Sequence, residues 1–285
     1  MIKKLKPYLI PFRKLVYTLT GKKPWSYGYV DFRWSYIYES ISNVDVLKHF
    51  LNGEVPQSFG VGMDERVVEY PWILSRLSNE SGISMLDAGS TFNFPELVNH
   101  KKVSPKNLTI FTYYPEDNQF LNKRISYHFG DLRQMPFRDS CYDEIVCQST
   151  IEHVDMDNSI YGYSIAAHQN NQTKSYAYIS VVNELVRVLK SGGKLLLTFP
   201  YGKFENHGFF QQFDEEMLAK IIDVLNVSGK CSTDFLHYKS TGWIFDHQQN
   251  CNSSESYNPH TGKGQSNDGA AHCRCVCCIE FVKNQ

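Results

Sequence analysis

The sequence lacks three things that would each have narrowed its function. It has no apolar run long enough to cross a bilayer as a helix, and its mean hydropathy is -0.38, so a membrane-spanning helix is excluded. It has almost no charge imbalance: the net charge is -1, with 29 Lys and Arg against 30 Asp and Glu. A nucleic-acid binder shows a basic excess, and none is visible in the body of the chain. It also has no Gly-x-Gly-x-x-Gly fingerprint, which argues against a nicotinamide-dependent oxidoreductase.

One region pairs an absence of acid with a cluster of bases. Met1 to Lys23 carries Lys3, Lys4, Lys6, Arg13, Lys14, Lys22 and Lys23 without an Asp or Glu, and apolar residues lie between the charges. Two readings fit: a peripheral contact with an anionic membrane surface, or an ordinary basic terminal helix. Arg13 and Lys14 interrupt the apolar part and no small-residue cleavage site follows, so a secretion signal is not expected. The chain is therefore expected in the cytoplasm with its eight cysteines as thiols. Cys273, Cys275, Cys277 and Cys278 form a run that invites a metal reading. Zinc sites usually set two ligand pairs apart, whereas this run continues into Ile279-Glu280-Phe281-Val282 and alternates as a strand does. A core strand with no metal is the expectation.

Residues 1–60 read as a basic, aromatic-rich lead-in, irregular from 24 onward, and 61–285 as one domain. The spacing predicts a helix over 64–79 with Pro71 inside it. Strands follow at Ile83–Leu86, Leu108–Tyr113, Ile125–Phe129, Tyr142–Cys147 and Lys194–Phe199, with helices at Pro95–His100 and, weakly, at 116–124. Ser175–Lys190 has an amphipathic helical pattern stopped by Ser191-Gly192-Gly193, and Asp214–Val227 is a helix capped by Asp214. Asp234–Tyr238 and Cys273–Val282 are the final strands, joined by a long polar loop. Alternating strands and helices imply an α/β, Rossmann-like doubly wound fold, with a mostly parallel seven-stranded sheet and an antiparallel C-terminal edge hairpin.

Ligands of such sheets bind at the carboxyl ends of the strands. Four stretches fall there: Asp87-Ala88-Gly89-Ser90, Gly130-Asp131-Leu132, Gln148 to Val154, and Pro200-Tyr201-Gly202 running on to Asn206-His207-Gly208. Glycine permits a sharp turn and close backbone approach, a carboxylate accepts from amines and hydroxyls, and histidine titrates near working pH. His153 and His207 are the candidate general bases, with Asp155, Asp157 and Glu205 as orienting acids. The bland readings are a packing or capping role for His153 and a solvated loop position for His207.

Leu86-Asp87-Ala88-Gly89, Gly130-Asp131-Leu132, Pro136-Phe137 ahead of Tyr142–Val146, Ile151-Glu152-His153-Val154, and Glu184-Leu185-x-Arg187-Val188-Leu189-Lys190-x-Gly192-Gly193 resemble class I S-adenosylmethionine-dependent methyltransferases, in the family's order. The small-molecule branch is the nearest in pattern. The segments 64–72 and 201–208 look similar to members associated with bacterial surface-glycan biosynthesis.

The resemblance implies S-adenosyl-L-methionine as cofactor, with Asp87, Ala88, Gly89 and Ser90 at its methionine part, Asp131 and Leu132 at the adenine, and Ser149 in the cleft. The acceptor implied is a small molecule or glycan, with a sugar hydroxyl favoured and no nucleic acid. A non-catalytic scaffold of the same fold is the alternative.

The chain departs from the pattern twice. The glycine loop runs Ser90-Thr91-Phe92-Asn93, and the second strand ends in Thr112-Tyr113 where an acid is usual. Glu116 is the nearest carboxylate, either a ribose ligand or a solvent-facing acid. The whole reading expects the first and third strands to finish side by side, with Asp87 and Asp131 at the two ends of the ligand.

Overall fold

The computed structural model describes residues 2–159 and 173–285, with backbone only for 2–8. Its centre is an eight-stranded sheet. The strands are β1 (Ser84–Ala88), β2 (Asn107–Thr112), β3 (Ile125–Phe129), β4 (Tyr142–Gln148), β5 (Leu189–Pro200), β8 (Gly229–Lys239), β9 (Gly242–Asp246) and β10 (Cys275–Lys283). Their order is β3-β2-β1-β4-β5-β10-β8-β9. Neighbours from β3 to β5 run parallel, and β10 is antiparallel to both β5 and β8. The short ribbon β6 (Glu205–Asn206) and β7 (Gln211–Gln212) stands apart.

The α/β doubly wound reading holds, with three differences. The sheet has an eighth strand, β9, whose Trp243 and Phe245 follow β8 after a two-residue turn. The two predicted final strands, β8 and β10, do pair antiparallel at this end of the sheet, but β10 lies between β5 and β8, and β9 takes the outermost place. And β2 separates β1 from β3, so the first and third strands are not neighbours; the carboxyl end of β2 supplies the middle of any ligand site.

Local chemistry explains most elements. Helix α7 (Glu215–Ser228) starts at Asp214, whose side chain accepts from the Met217 amide at 3.1 Å, with Glu215 and Glu216 in its first turn. Helix α6 (Tyr178–Val188) ends at Val188, not at the Gly192-Gly193 pair. The chain passes directly into β5, and the glycines occupy a register shift against β4, where an extra stretch must be accommodated. Residues 116–124 form no helix. Residues 24–60, irregular by pattern, contain α2 (Tyr29–Ser42) and α3 (Val44–Leu51), the latter capped by the Asn43 side chain. Together with α1 (Ile2–Leu19), α4 (Arg66–Arg76), α5 (Pro95–Val98) and α8 (Gln248–Cys251) they complete the helices of the described residues.

The two faces of the sheet bury separate cores. Ile110, Val146, Leu196, Val276 and Cys278 pack under α2, α3 and α4, while Ile145, Leu195, Leu197, Cys277 and Ile279 pack under α6 and α7. The period-two alternation read from the cysteine run is what places Cys275 and Cys277 on one face and Cys278 on the other. All eight cysteines are free thiols.

One buried ion pair pins the sheet near its amino ends. Lys106, 1% exposed, pairs with Glu144 of β4, whose other oxygen takes the Ser78 amide at 2.8 Å. Removing one member of a buried pair strands the other. Lys106→Met is expected to lower unfolding free energy by about 3 kcal/mol or more, read by chemical denaturation. Pairing it with Glu144→Leu is expected to recover most of that loss.

Candidate active site

The carboxyl ends of β1, β2, β3 and β4 open on one cavity of about 280 Å3. Its walls include Gly89, Glu116, Asp131, Leu132, Ser149 and His153, six of the residues singled out in the sequence, drawn from four separate stretches. Thr112, Tyr113, Thr150, Asp155 and Asn158 line it too.

The turn after β1 shows how the atypical loop is built. Asp87 is wholly buried and points back into the loop. It accepts from the Thr91 amide and hydroxyl, both at 3.1 Å, and from the Phe92 amide at 2.8 Å. Burial pushes its pKa up to about 7, against the lowering effect of those bonds. Asp87 and the buried Ala88 thus shape the turn and do not line the cavity. Gly89 does. Its φ is +119°, and a Cβ there would lie 2.1 Å from the Thr150 hydroxyl, so no other residue fits. Ser90 takes a left-handed φ of +62°, a conformation uncommon for a residue other than glycine.

The loop is then stapled by side chains. Ser90 Oγ and Asn93 Nδ2 donate to Glu116 Oε2 at 2.8 and 2.9 Å, and Phe92 turns into the core against Tyr70. Glu116 Oε1 takes none of the bonds found among the described residues. Ser90 therefore acts through Glu116 and does not itself line the cavity.

Asp131 sits at the other end. It caps the turn at Leu132–Gln134 through the Arg133 amide at 2.8 Å, and the Arg133 guanidinium donates to Oδ1 through Nε at 3.0 Å and to Oδ2 through Nη2 at 2.6 Å. Burial works against its charge, yet the Arg133 bonds prevail and hold the carboxyl below its usual range.

The floor near β4 rests on a residue that the pattern did not single out. Glu69 of α4 is fully buried and accepts from Ser149 Oγ, from Thr198 Oγ1 at 2.6 Å, from Gln148 Nε2 at 3.2 Å and from Arg66 at 3.4 Å. Burial raises its pKa even so. Arg66 also lines the cavity, and Glu69 and its neighbours hold it protonated against the cost of burial. Both lie in the segment 64–72 singled out by resemblance, but nothing in the sequence marked either as a site residue.

The two histidines part company. His153 lines the cavity, and its Nδ1 lies 2.7 Å from the Phe209 carbonyl oxygen. That contact requires a proton on Nδ1, so the neutral ring presents Nε2 as an acceptor. Burial lowers its pKa to about 4. His207 does not reach the cavity. Its ring is buried, stacked on Phe210 at 4.6 Å and 12°, with Nε2 3.6 Å from Glu205 and no hydrogen bond to either nitrogen. Of the acids flanking them, Asp155 lines the cavity and takes the Ser175 hydroxyl at 2.8 Å, whereas Glu205 is spent on the Ser256 amide.

Residues 98–197 match the family described as a methyltransferase domain, a stretch that spans β2, β3, β4, α6 and most of β5. The chain carries an S-adenosylmethionine-dependent methyltransferase domain. No curated protein sequence matches it.

Solved structures similar to this methyltransferase include three at low identity. The 1,6-didemethyltoxoflavin-N1-methyltransferase of Burkholderia thailandensis is 12% identical over 72% of each chain, with a TM-score of 0.42. Phosphoethanolamine N-methyltransferase 2 of Haemonchus contortus is 13% identical over 75% of this chain and 51% of that one, at 0.44. A methyltransferase of Methanosarcina mazei is 14% identical over 74% and 97%, at 0.41.

The donor set suits an adenosyl group. Its wall holds a Glu116 carboxylate, which could take a diol, an Asp131 carboxylate beside the apolar Leu132, which could take an exocyclic amine, and the open backbone of Gly89.

The neutral state of His153 has a pH signature. Its pKa falls from 6.5 in the unfolded chain to about 4 in the fold, so the unfolded state binds the extra proton between those values. The contribution is complete above pH 6.5 and is lost as pH falls toward 4. Asp87 titrates in the opposite sense, so the comparison must be between wild type and His153→Gln. The stability advantage of the substituted protein is expected to grow as pH drops through that window in urea titrations. A constant offset refutes the buried neutral imidazole.

Proposed function

We propose that this methyltransferase methylates a hydroxyl of a small polar acceptor, a sugar or glycan hydroxyl in particular. The observation that carries this reading is the neutral His153, fixed by the Phe209 carbonyl, in the same cavity as Glu116, Asp131 and Leu132. S-adenosylmethionine, when bound, supplies an electrophilic methyl group on a sulfonium. Glu116 would hold the ribose hydroxyls through Oε1, Asp131 and Leu132 the adenine, and the turn at Gly89 the amino-acid end.

The chain's own part is positioning and proton removal. A hydroxyl must lose its proton as it becomes an ether, and His153 Nε2 is an acceptor directed by its tautomer. An imidazole of low basicity takes that proton only as the bond forms, which places the transfer late and favours an acceptor locked in position. Arg66, Asp155 and Asn158 share the wall, and their mixed donors and acceptors suit a polyhydroxylated ligand better than an apolar one. Ser149 supports the wall through its bond to Glu69.

His153→Gln is expected to lower kcat about a hundredfold or more with the KM for the cofactor unchanged. Glu116→Gln is expected to weaken S-adenosylmethionine binding about tenfold by calorimetry. Unchanged turnover in the first variant removes His153 from the chemistry. Absence of any cofactor binding by the wild-type protein would leave the non-catalytic scaffold in its place.

A further inference from the structure

Helix α1 presents its apolar side to water. It packs through a narrow strip. At Gly28, just before α2, an added Cβ would lie 2.1 Å from the Arg13 carbonyl oxygen and 3.1 Å from Tyr17. Tyr17 is fully buried against Tyr29 and Phe32, and Arg13 pairs with Asp31 at 3.3 Å. That contact leaves the opposite side uncovered.

Leu9, Phe12, Leu15, Val16 and Leu19 fall within an arc of about 120° at the helical pitch. Leu9 is 43% exposed, Phe12 57%, Leu15 55% and Leu19 76%. No described segment of the chain covers them. The loop that follows adds Trp25, 39% exposed, and Tyr27, 57% exposed. The indole of Trp25 donates to the Ala271 carbonyl at 2.5 Å, which ties this patch to the approach to β10.

An apolar stripe of this extent on a soluble surface marks a contact site, and the charge selects the partner. Residues 1–23 carry only positive charge, and Lys23 makes no ion pair with the described residues while Lys22 lies over the Phe32 ring. Leucines and phenylalanine on one side, lysines around them and aromatic side chains at the rim are the composition that lies in a bilayer interface. A second copy of the chain would bring the same positive charge against itself.

We propose that α1 and the loop to Tyr27 dock on an anionic lipid surface, with Phe12, Leu15 and Leu19 entering the headgroup boundary. This rests on the exposed helix alone and is independent of the acceptor assigned above.

The test is co-sedimentation of the full chain with vesicles of phosphatidylcholine, with or without phosphatidylglycerol. Wild type is expected to pellet with the anionic vesicles and to be released by high salt. Phe12→Ser and Leu15→Ser are each expected to lower the partition coefficient on the order of tenfold. Lys22→Glu with Lys23→Glu is expected to lower it about tenfold or more on anionic vesicles only.

All three alterations lie on the surface, and unchanged thermal midpoints and circular dichroism establish that the variants are folded. Should a variant lose its fold, wild-type binding to the two vesicle types decides alone. Equal binding to both compositions, or none to either, overturns the proposal. A dimer in light scattering that Leu15→Ser dissolves also overturns it, by assigning the face to a second copy.

Discussion

The cleft depends on one buried carboxylate. Glu69 stands on a helix that precedes the first strand, yet its oxygens collect hydrogen bonds from the end of β4 at Gln148 and Ser149, from β5 at Thr198, and from Arg66 on its own helix. A buried charge is tolerated only where its lone pairs are filled, and removing its partners costs more than the bonds themselves. The constraint runs both ways. Glu69 fixes the loop after β4, where Ser149 is held at a φ of +38°, and that loop delivers Thr150 and His153 to the cavity.

The turn after β1 reaches an open ligand cleft by a different route from the glycine pattern it resembles. Gly89 is kept because Thr150 occupies the space a Cβ would need. Beyond it, hydrogen bonds take over: Asp87 holds Thr91 and Phe92 from below, while Ser90 and Asn93 grip Glu116 from the side. The bulk of Phe92 is spent on the core. Glu116, the carboxylate that follows β2 in the cavity wall, is held there by that loop through Ser90 and Asn93.

The C-terminal half shows the limit of local pattern. Strand β10 carries alternating cysteines because both of its faces are covered, one by the helices of the N-terminal half and the other by α6 and α7. Small buried thiols satisfy that position as well as aliphatic side chains do. Its place between β5 and β8 closes the sheet and leaves β9 at the edge.

Taken alone, the sequence determined the α/β alternation, the position of the parallel strands, the Asp214 cap and the stretches that end at the ligand-binding edge. These are local properties, written in apolar period and in turn chemistry. The tertiary structure alone decided which residues of those stretches face the cavity. His153 and His207 have equal standing in the chain, and only the Phe209 carbonyl and the Phe210 ring separate an oriented acceptor from a buried packing residue. Asp87 likewise turned inward, while Glu69 and Arg66, not singled out as site residues, became the floor. Side-chain direction follows from which neighbours fill the space around it, and those neighbours come from distant parts of the chain.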